Sequence, residues 1–319
     1  MKKIGILFPG YGSQFVGMGK ELYDESRIVQ EFFEEAAHCL NANFVKLCFA
    51  SSDTELAKIG HAYPALFLIS CSIYALLKEH SINPIAVAGY DIGEYAALFA
   101  AGGMSFPDGL YLLAKYAQFY TDFLHSQEFK CISIVGLKSS DIEKICVEES
   151  TDDTRAYVAI YLGDNECIVG GHSAAVERVR DSVDAREGAA DISIAHVDTG
   201  VGLHSLLLKG VADQFKVYLG KVDFKDLKIP LIANVTGTSI ESKEDITATT
   251  IDRINMPIRF DKVLKNFPAC DVYIQVGPGN NLAQHFKKIY PDKLVIALNK
   301  PSDIHELKEK INDLSTAEN

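Results

Sequence analysis

The spacing of apolar residues alternates between two patterns along the first part of the chain. Short apolar runs at residues 4–8 and 85–89 are bounded by glycines and polar residues, as in buried strands of a parallel sheet. Longer segments with apolar positions three and four apart predict helices between and after these strands. The predicted helices lie at about residues 17–40, 62–80, 92–102 and 107–125. Strands that alternate with helices predict an α/β fold built on a parallel sheet.

From about residue 128 the pattern predicts a different order of elements. The predicted strands are at 130–137, 156–161, 166–170 and 190–197, and the predicted helices are at 139–148 and 173–186. Along the chain the order is strand, helix, strand, strand, helix and strand. This βαββαβ order is ferredoxin-like. We therefore expect a small domain at 128–198, inserted into a large α/β-hydrolase-like domain formed by 1–127 and 199–319. The second part of the large domain has predicted strands at 229–234, 271–276 and 293–298. Its predicted helices are at 205–219, 280–289 and 303–314, with further helices within 245–266.

The composition is that of an ordinary globular protein, with 48% hydrophobic and 23% charged residues. The formal net charge of −12 argues against a nucleic-acid ligand. The seven cysteines are scattered without a C-x-x-C pair, which favours reduced thiols and predicts no metal site. No apolar run appears long enough to cross a membrane, and the first residues lead directly into a strand. These features predict a cytoplasmic location without membrane association.

The segment Gly89-Tyr90-Asp91-Ile92-Gly93 lies between a predicted strand and a predicted helix. This is the context of a nucleophile elbow, G-x-Nuc-x-G, in which a sharp turn presents one side chain at the end of a strand. The two glycines permit the tight turn and the close approach of strand and helix. Serine is the usual central residue, but here it is Asp91. The segment therefore keeps the geometry of an acyl-transfer site and changes its central chemistry.

Five further segments accompany the elbow in a fixed order. They are FPGYGSQ at 8–14, LHS at 203–205, PLIANVTG at 230–237, PIRF at 257–260 and VGPGN at 276–280. Together with GYDIGE at 89–94 they resemble the malonyl-CoA:acyl carrier protein transacylase family over about residues 4–298. The resemblance implies an acyltransferase fold and a role in fatty-acid or polyketide synthesis. It also implies acyl carrier protein and acyl-CoA as partners, with CoA or phosphopantetheine as the carrier of the substrate and no bound cofactor.

The resemblance assigns roles to residues around the elbow. His204 takes the place of the catalytic histidine, and the backbone carbonyl of Arg259 is expected to orient its ring. The backbone N–H groups of Tyr11 and Ile92 take the oxyanion-hole positions, where one donor is worth ~3 kcal/mol in a transition state. Because acyl carrier proteins are typically acidic, docking requires a basic patch. Lys287-Lys288 is one candidate, and solvated lysines at a helix end are the alternative.

The differences from the family pattern lie at the site itself. Tyr116 occupies the position of the arginine that pairs with the malonyl carboxylate, and a tyrosine cannot replace a guanidinium there. Tyr161 and Asn165 stand in a second polar motif of the family and are predicted to line the substrate pocket. Tyr11, Tyr90, Tyr116 and Tyr161 are predicted to face the cleft together, which suits an uncharged acyl group; the alternative for each is an ordinary core-edge residue. Malonyl-CoA is therefore not the expected substrate.

Three roles remain open for Asp91. The first is a general base that acts with His204 on water, and the second is a nucleophile. The third is only a cap of the helix that follows. The corresponding functions are hydrolysis or transfer of an uncharged acyl group, and binding or regulation of a carrier protein or partner enzyme without catalysis. Ordinary malonyl transfer is a third possibility, which the loss of both the serine and the arginine disfavours.

Overall fold

The computed structural model describes residues 2–186 and 191–316. Residue 190, where the predicted strand 190–197 begins, and residues 317–319 of the predicted large domain lie outside the described residues. The strands are β1 Ile4–Phe8, β2 Ala86–Gly89, β3 Phe129–Val135, β4 Ala156–Gly163, β5 Glu166–His172, β6 Ser193–Val197, β7 Leu231–Ile232, β8 Ser239–Ile240, β9 Ile258–Arg259, β10 Val272–Val276 and β11 Leu294–Leu298.

The helices lie between and around these strands. They are α1 Lys20–Glu25, α2 Arg27–Leu40, α3 Phe44–Ala50, α4 Asp53–Ala57, α5 Ile59–Glu79, α6 Gly93–Ala100, α7 Phe106–Leu124, α8 Ser139–Glu148, α9 Ser173–Asp184, α10 Lys209–Leu219, α11 Lys243–Asn255, α12 Phe260–Asn266, α13 Asn281–Ile289 and α14 Pro301–Thr316.

One sheet has six strands in the order β11-β10-β1-β2-β7-β8. Its pairs are parallel except for β7 with β8, which is a short antiparallel edge. Strands β1, β2 and β10 are buried along their whole length, as expected for parallel strands covered by helices on both faces. The predicted α/β fold with a parallel sheet is thus confirmed.

The second sheet has the order β6-β3-β5-β4-β9. Its first four strands pair antiparallel, and α8 and α9 supply the two helices of the predicted βαββαβ arrangement. Strand β9 comes from much later in the chain and pairs parallel with β4, where Ile160 faces Ile258 and Tyr161 faces Arg259. The ferredoxin-like prediction is confirmed, and β9 ties this sheet to the rest of the protein.

One predicted helix is divided, and the helices expected within 245–266 are separated by a break. The segment 17–40 breaks at Ser26, whose extended backbone ends α1 and whose side chain accepts from the N–H of Val29 at the start of α2. The segment 245–266 breaks around Pro257, because a proline disfavours helical backbone in the residue before it. This second break matters for the site, since α11 and β9 take up different positions beside it.

Helix α5 differs from the expectation that no segment reaches membrane-spanning length. It has 21 residues, and its most apolar stretch reaches a mean hydropathy of 1.5. Length and composition alone would allow α5 to cross a membrane, but 72% of that stretch is buried inside the protein. The helix packs against α2, α6 and α7. Its apolar character is therefore accounted for by its central place in the core.

Candidate active site

The elbow forms as a strand–turn–helix at residues 86–100. Strand β2 ends at Gly89, Asp91 has a positive φ of 50°, and α6 begins at Gly93. A Cβ on Gly89 would lie 2.1 Å from the carbonyl carbon of Gly93, and one on Gly93 would lie 2.3 Å from the carbonyl oxygen of Phe8. Only glycine fits at either position, and aspartate is among the residues that tolerate left-handed backbone. The turn thus holds Asp91 at the end of β2.

The Asp91 carboxylate lies between a guanidinium and an imidazole. Its Oδ1 atom is 3.1 Å from Nη1 of Arg253 and 3.2 Å from Nε2 of His204. The exposed fraction is 1% for Asp91, 0% for His204 and 1% for Arg253. Such a deeply buried carboxylate needs a partner, because an unpaired buried charge is very costly. Arg253 is that partner, and its side chain is permanently charged.

His204 faces hydrogen-bond acceptors on both sides of its ring. Its Nδ1 atom is 2.7 Å from the carbonyl oxygen of Arg253, and its Nε2 atom is 3.0 Å from that of Val201 as well as close to Asp91. Carbonyl and carboxylate oxygens only accept, so this arrangement is satisfied when both ring nitrogens donate. A ring in that state has no lone pair with which to take a proton. Gly202 makes room for the ring, since a Cβ there would lie 2.2 Å from Nε2.

The predicted acceptor for the His204 ring, the carbonyl of Arg259, is wrong. Arg259 is drawn into the small sheet, where it pairs with Tyr161, and its N–H donates to the carbonyl of Asn234 at 2.8 Å. Its guanidinium binds Asp261 with bonds of 2.9 and 2.6 Å. The acceptor is instead the carbonyl of Arg253, six residues earlier and near the end of α11. The break at Pro257 separates α11 from β9, where Arg259 lies.

Arg253 is the functional residue that sequence reasoning missed. It lies on α11 in the same buried row as Ile246 and Thr250, at the i, i+4, i+7 spacing of a helix face. An arginine in such a row was the available signal. The carbon of its guanidinium is 4.7 Å from the ring centre of Tyr95 and 5.4 Å from that of Tyr116, within cation–π range. The expected absence of a guanidinium from the site is therefore also wrong.

Tyrosine rings fill the space beside the elbow. Tyr116 is fully buried and stacks on Tyr63 and Tyr120, with both ring-centre distances 5.8 Å. Tyr63 in turn meets Tyr11 edge-on at 6.0 Å. Burial raises the pKa of Tyr116 far above its ordinary value, and it raises that of Tyr95 to about 12, so these hydroxyls stay neutral.

The same tyrosines hold the segment that follows β6. Tyr11 contacts the carboxylate of Asp198 at 3.0 Å, and Tyr63 donates to the carbonyl of Gly200 at 2.8 Å. Tyr120 donates to the carbonyl of Thr199 at 2.6 Å. Three hydroxyls from separate elements thus fix residues 198–200, where the chain returns from the small sheet.

The other two predicted tyrosines lie apart from this cluster. Tyr90 packs edge-on against Phe260, with ring centres 5.0 Å apart. Tyr161 donates to Glu143 on α8, and the Arg259 guanidinium lies 4.5 Å from its ring centre. The four tyrosines therefore do not form one continuous face: Tyr11 and Tyr116 belong to the cluster beside the elbow, whereas Tyr161 lines a groove on the small sheet that His204 also lines.

Asn165 lies in the exposed turn between β4 and β5, where its carbonyl accepts from the N–H of Gly136 at 2.9 Å. Tyr161 and Asn165 both line a surface depression beside Arg259, on the small sheet. Among the contacts of the described residues, neither reaches Asp91. The oxyanion role of the Tyr11 and Ile92 N–H groups stays a prediction, and the segments that carry them lie close together, since a Cβ on Gly10 would lie 2.4 Å from the carbonyl oxygen of Tyr90. The loop carrying Tyr11 therefore packs on the turn carrying Ile92.

An apolar groove of about 540 Å³ runs between α8, β4 and the loops at 204–206 and 255–257. Val147, Leu206 and Met256 stand along it with exposed fractions of 77%, 67% and 43%. His204 lines the groove, whereas Asp91 is not among its described lining residues. The groove thus reaches the site at His204 and not at Asp91.

Two further sequence expectations concern the surface and metal ions. The Lys287 ammonium donates to the carbonyls of Pro291 and Lys293 at 2.7 and 2.9 Å, in the turn between α13 and β11, and Lys287-Lys288 as a docking patch stays a prediction. Within residues 2–186 and 191–316 no group of three potential metal ligands comes together. The seven cysteines are free thiols, and all except Cys39 are buried.

Comparison with known proteins places this geometry in a family. Residues 6–302 match the acyl transferase domain. A malonyl CoA-acyl carrier protein transacylase of Bacillus subtilis strain 168 is 31% identical over 306 residues, which cover 95% of this chain and 96% of that relative. The chain belongs to the malonyl-CoA:acyl carrier protein transacylase family. The relative named here is an acyltransferase enzyme, and the chain is an acyltransferase-family protein.

Solved structures agree with this assignment. The malonyl transacylase MCAT of Streptococcus pneumoniae superposes with a TM-score of 0.88 at 28% identity, covering 97% of this chain and 100% of that one. A malonyl-transacylase in complex with a type II polyketide acyl-carrier protein superposes with a TM-score of 0.88 at 24% identity, covering 94% of this chain and 97% of that one. This second similarity shows the fold.

Proposed function

We propose that this chain binds acyl carrier protein in fatty-acid or polyketide synthesis and does not carry malonyl on residue 91. The observation that carries the proposal is the Asp91–Arg253–His204 cluster, in which one buried carboxylate contacts both cation-forming groups at 3.1 and 3.2 Å. Family membership supports a role with carrier-protein thioesters. The cluster supports a site that is closed to malonyl transfer.

The chemistry of residue 91 supports the same conclusion. A carboxylate that attacked a thioester would form a mixed anhydride, which lies uphill of the thioester, so no acyl-enzyme would accumulate. As a general base, Asp91 would have to give up its contacts with Arg253 and His204, and the His204 ring has acceptors at both nitrogens. Water would also need a path to a side chain that is 1% exposed.

Hydrolysis of an uncharged acyl thioester is the second candidate. The apolar groove that His204 lines favours it, because a groove of about 540 Å³ with an apolar rim suits an aliphatic acyl chain or a pantetheine arm. On this hypothesis the cleft opens, and Asp91 and His204 activate water while the N–H groups of Tyr11 and Ile92 hold the oxyanion. The fixed segment 198–200 and the paired state of Asp91 count against it.

Acyl carrier protein is the proposed partner, with its phosphopantetheine arm as the carrier of the acyl group and acyl-CoA as an alternative carrier. The relatives are named for this partner, and one similar structure is a complex with such a protein. We place the protein in the cytoplasm, where these thioesters are made and used. No resident cofactor is part of the proposal.

The test measures binding and turnover side by side. Holo, acetyl, medium-chain and malonyl forms of an acyl carrier protein are titrated onto the wild-type chain, and transfer from malonyl-CoA and release of free acid are followed in parallel. We expect binding without malonyl transfer. Malonyl transfer that depends on Asp91, or failure to bind any carrier form, would refute the proposal. Free-acid release lost in both Asp91→Asn and His204→Ala would establish the hydrolase instead.

A further inference from the structure

The Arg253 guanidinium is a buried cation that makes one of the two hydrogen bonds an arginine commonly makes to a carboxylate. Its Nη1 atom binds Oδ1 of Asp91, whereas Nη2 of Arg253 and Oδ2 of Asp91 are both buried without a hydrogen-bond partner among the described residues. An arginine commonly holds a carboxylate through two parallel bonds. Here one bond to a carboxylate is made, by a side chain whose residue is only 1% exposed.

We infer that Arg253 is the carboxylate-binding residue of this site and that Asp91 is its built-in ligand. The inference deepens the proposed function and rests on it. In the native protein the side chain of Asp91 occupies the place that a carboxylate-bearing acyl group, such as a malonyl half-acid, would take. The acyl group accepted by the native site is therefore one without a carboxylate.

The surroundings of Arg253 are suited to an anion. Tyr95 and Tyr116 present their rings to the guanidinium at 4.7 and 5.4 Å, and the guanidinium acts on the Tyr95 hydroxyl so that it offsets part of the rise in the Tyr95 pKa that burial causes. Glu94 is the other acidic group nearby, but its carboxylate already accepts from the backbone N–H and the side-chain amide of Asn234. Asp91 is thus the carboxylate that satisfies Arg253.

An attached ligand competes strongly with a free one. A group held in place by the chain acts at an effective concentration of millimolar or more, depending on how well it is positioned. A free carboxylate must displace Asp91 from a fixed turn before it can reach Arg253. Removal of the Asp91 carboxylate should therefore expose a latent site for small carboxylates. Substitution of Arg253 should abolish that site.

The experiment is a rescue of folding stability by added carboxylate. Thermal unfolding of wild type, Asp91→Ala, Asp91→Ser and Asp91→Ala/Arg253→Met is measured with acetate and with malonate, against chloride at equal ionic strength. We expect a saturable rise in Tm of several degrees in the two single variants and no carboxylate-specific rise in wild type or in the double variant. Asp91→Ser retains a hydroxyl acceptor, so misfolding of the alanine variant does not decide the outcome.

Absence of a carboxylate-specific rise in both single variants would overturn the inference, as would an equal rise in the double variant. Carrier-protein binding by the wild type is measured separately. If the wild type does not bind carrier protein, the proposed function is refuted, but the rescue of folding stability by carboxylate is unaffected. Failure of the proposed function and failure of the inference about Arg253 are therefore distinguishable.

Discussion

Replacement of Arg253 by methionine should destabilise the protein strongly, because it leaves a carboxylate buried without its cation. The Nη1–Oδ1 distance is 3.1 Å, and both side chains are almost fully buried. At an effective permittivity of about 20 the attraction across that distance is ~5 kcal/mol before desolvation is counted. Removing one partner of a buried pair costs ~3–5 kcal/mol. Since His204 still contacts Asp91, we expect about 3 kcal/mol.

The assay is thermal and denaturant unfolding of a small set of variants. A loss of about 3 kcal/mol corresponds to a fall in Tm of roughly 4–5 °C for a chain of 319 residues, at an unfolding entropy of ~2.1 cal/mol/K per residue. Asp91→Asn/Arg253→Met should recover much of the loss, because no charge is left unpaired. The backbone carbonyl of Arg253 that holds His204 is present in every variant. Arg180→Met is the matched control, since Arg180 forms exposed ion pairs with Glu177 and Asp181 and its loss should leave the Tm unchanged.

The double-mutant cycle decides whether the pair exists. We expect a coupling free energy of ~2–3 kcal/mol between positions 91 and 253. A coupling near zero, or a cost for Arg253→Met no larger than ~1 kcal/mol, would refute the reasoning that Arg253 holds Asp91.

Three further results are expected. Asp91→Ser should become slowly malonylated by malonyl-CoA, as seen by intact mass, because it restores a hydroxyl and frees Arg253; equal malonylation of Asp91→Ser/Arg253→Met would contradict this. Burial raises the pKa of Glu94 to about 7 from its ordinary 4.5, so its contribution to stability is fully present below about pH 4.5 and is lost as the pH rises through 7. Glu94→Gln should lack this fall in denaturation measured at about pH 5 and about pH 8, and an unchanged pH dependence would count against it. Tyr11→Phe, which loses the hydroxyl contacts with Ala57 and Asp198, should cost ~1 kcal/mol by denaturant unfolding, and an unaltered stability would show that these contacts do not hold the segment 198–200.

The fold was predictable because its signals are local. The βαββαβ order follows from short periodic segments. The elbow follows from two glycines at positions where any Cβ atom would collide with neighbouring backbone. The position of Pro257 marks the break between α11 and β9, in a range where more than one helix was expected.

The contacts between side chains at the site were not predictable in the same way. Arg253 is 162 positions from Asp91, and no spacing rule connects a row on α11 with the end of β2. The substitution of Tyr116 at the arginine position suggested that the guanidinium was lost, whereas it enters from another helix and lies 5.4 Å from that tyrosine ring. Tyr161 was grouped with the tyrosines at the elbow, whereas its hydroxyl binds Glu143 on α8. Each of these features depends on tertiary packing between distant segments.

The central claim is that residue 91 does not carry an acyl group because its carboxylate is held by Arg253 and His204. Intact-protein mass after incubation of the wild-type chain with malonyl-CoA and with malonyl-loaded acyl carrier protein tests it most directly. The account predicts an unmodified mass under conditions in which Asp91→Ser gains a malonyl group. A long-lived malonyl adduct of the wild type that maps to Asp91 would contradict it.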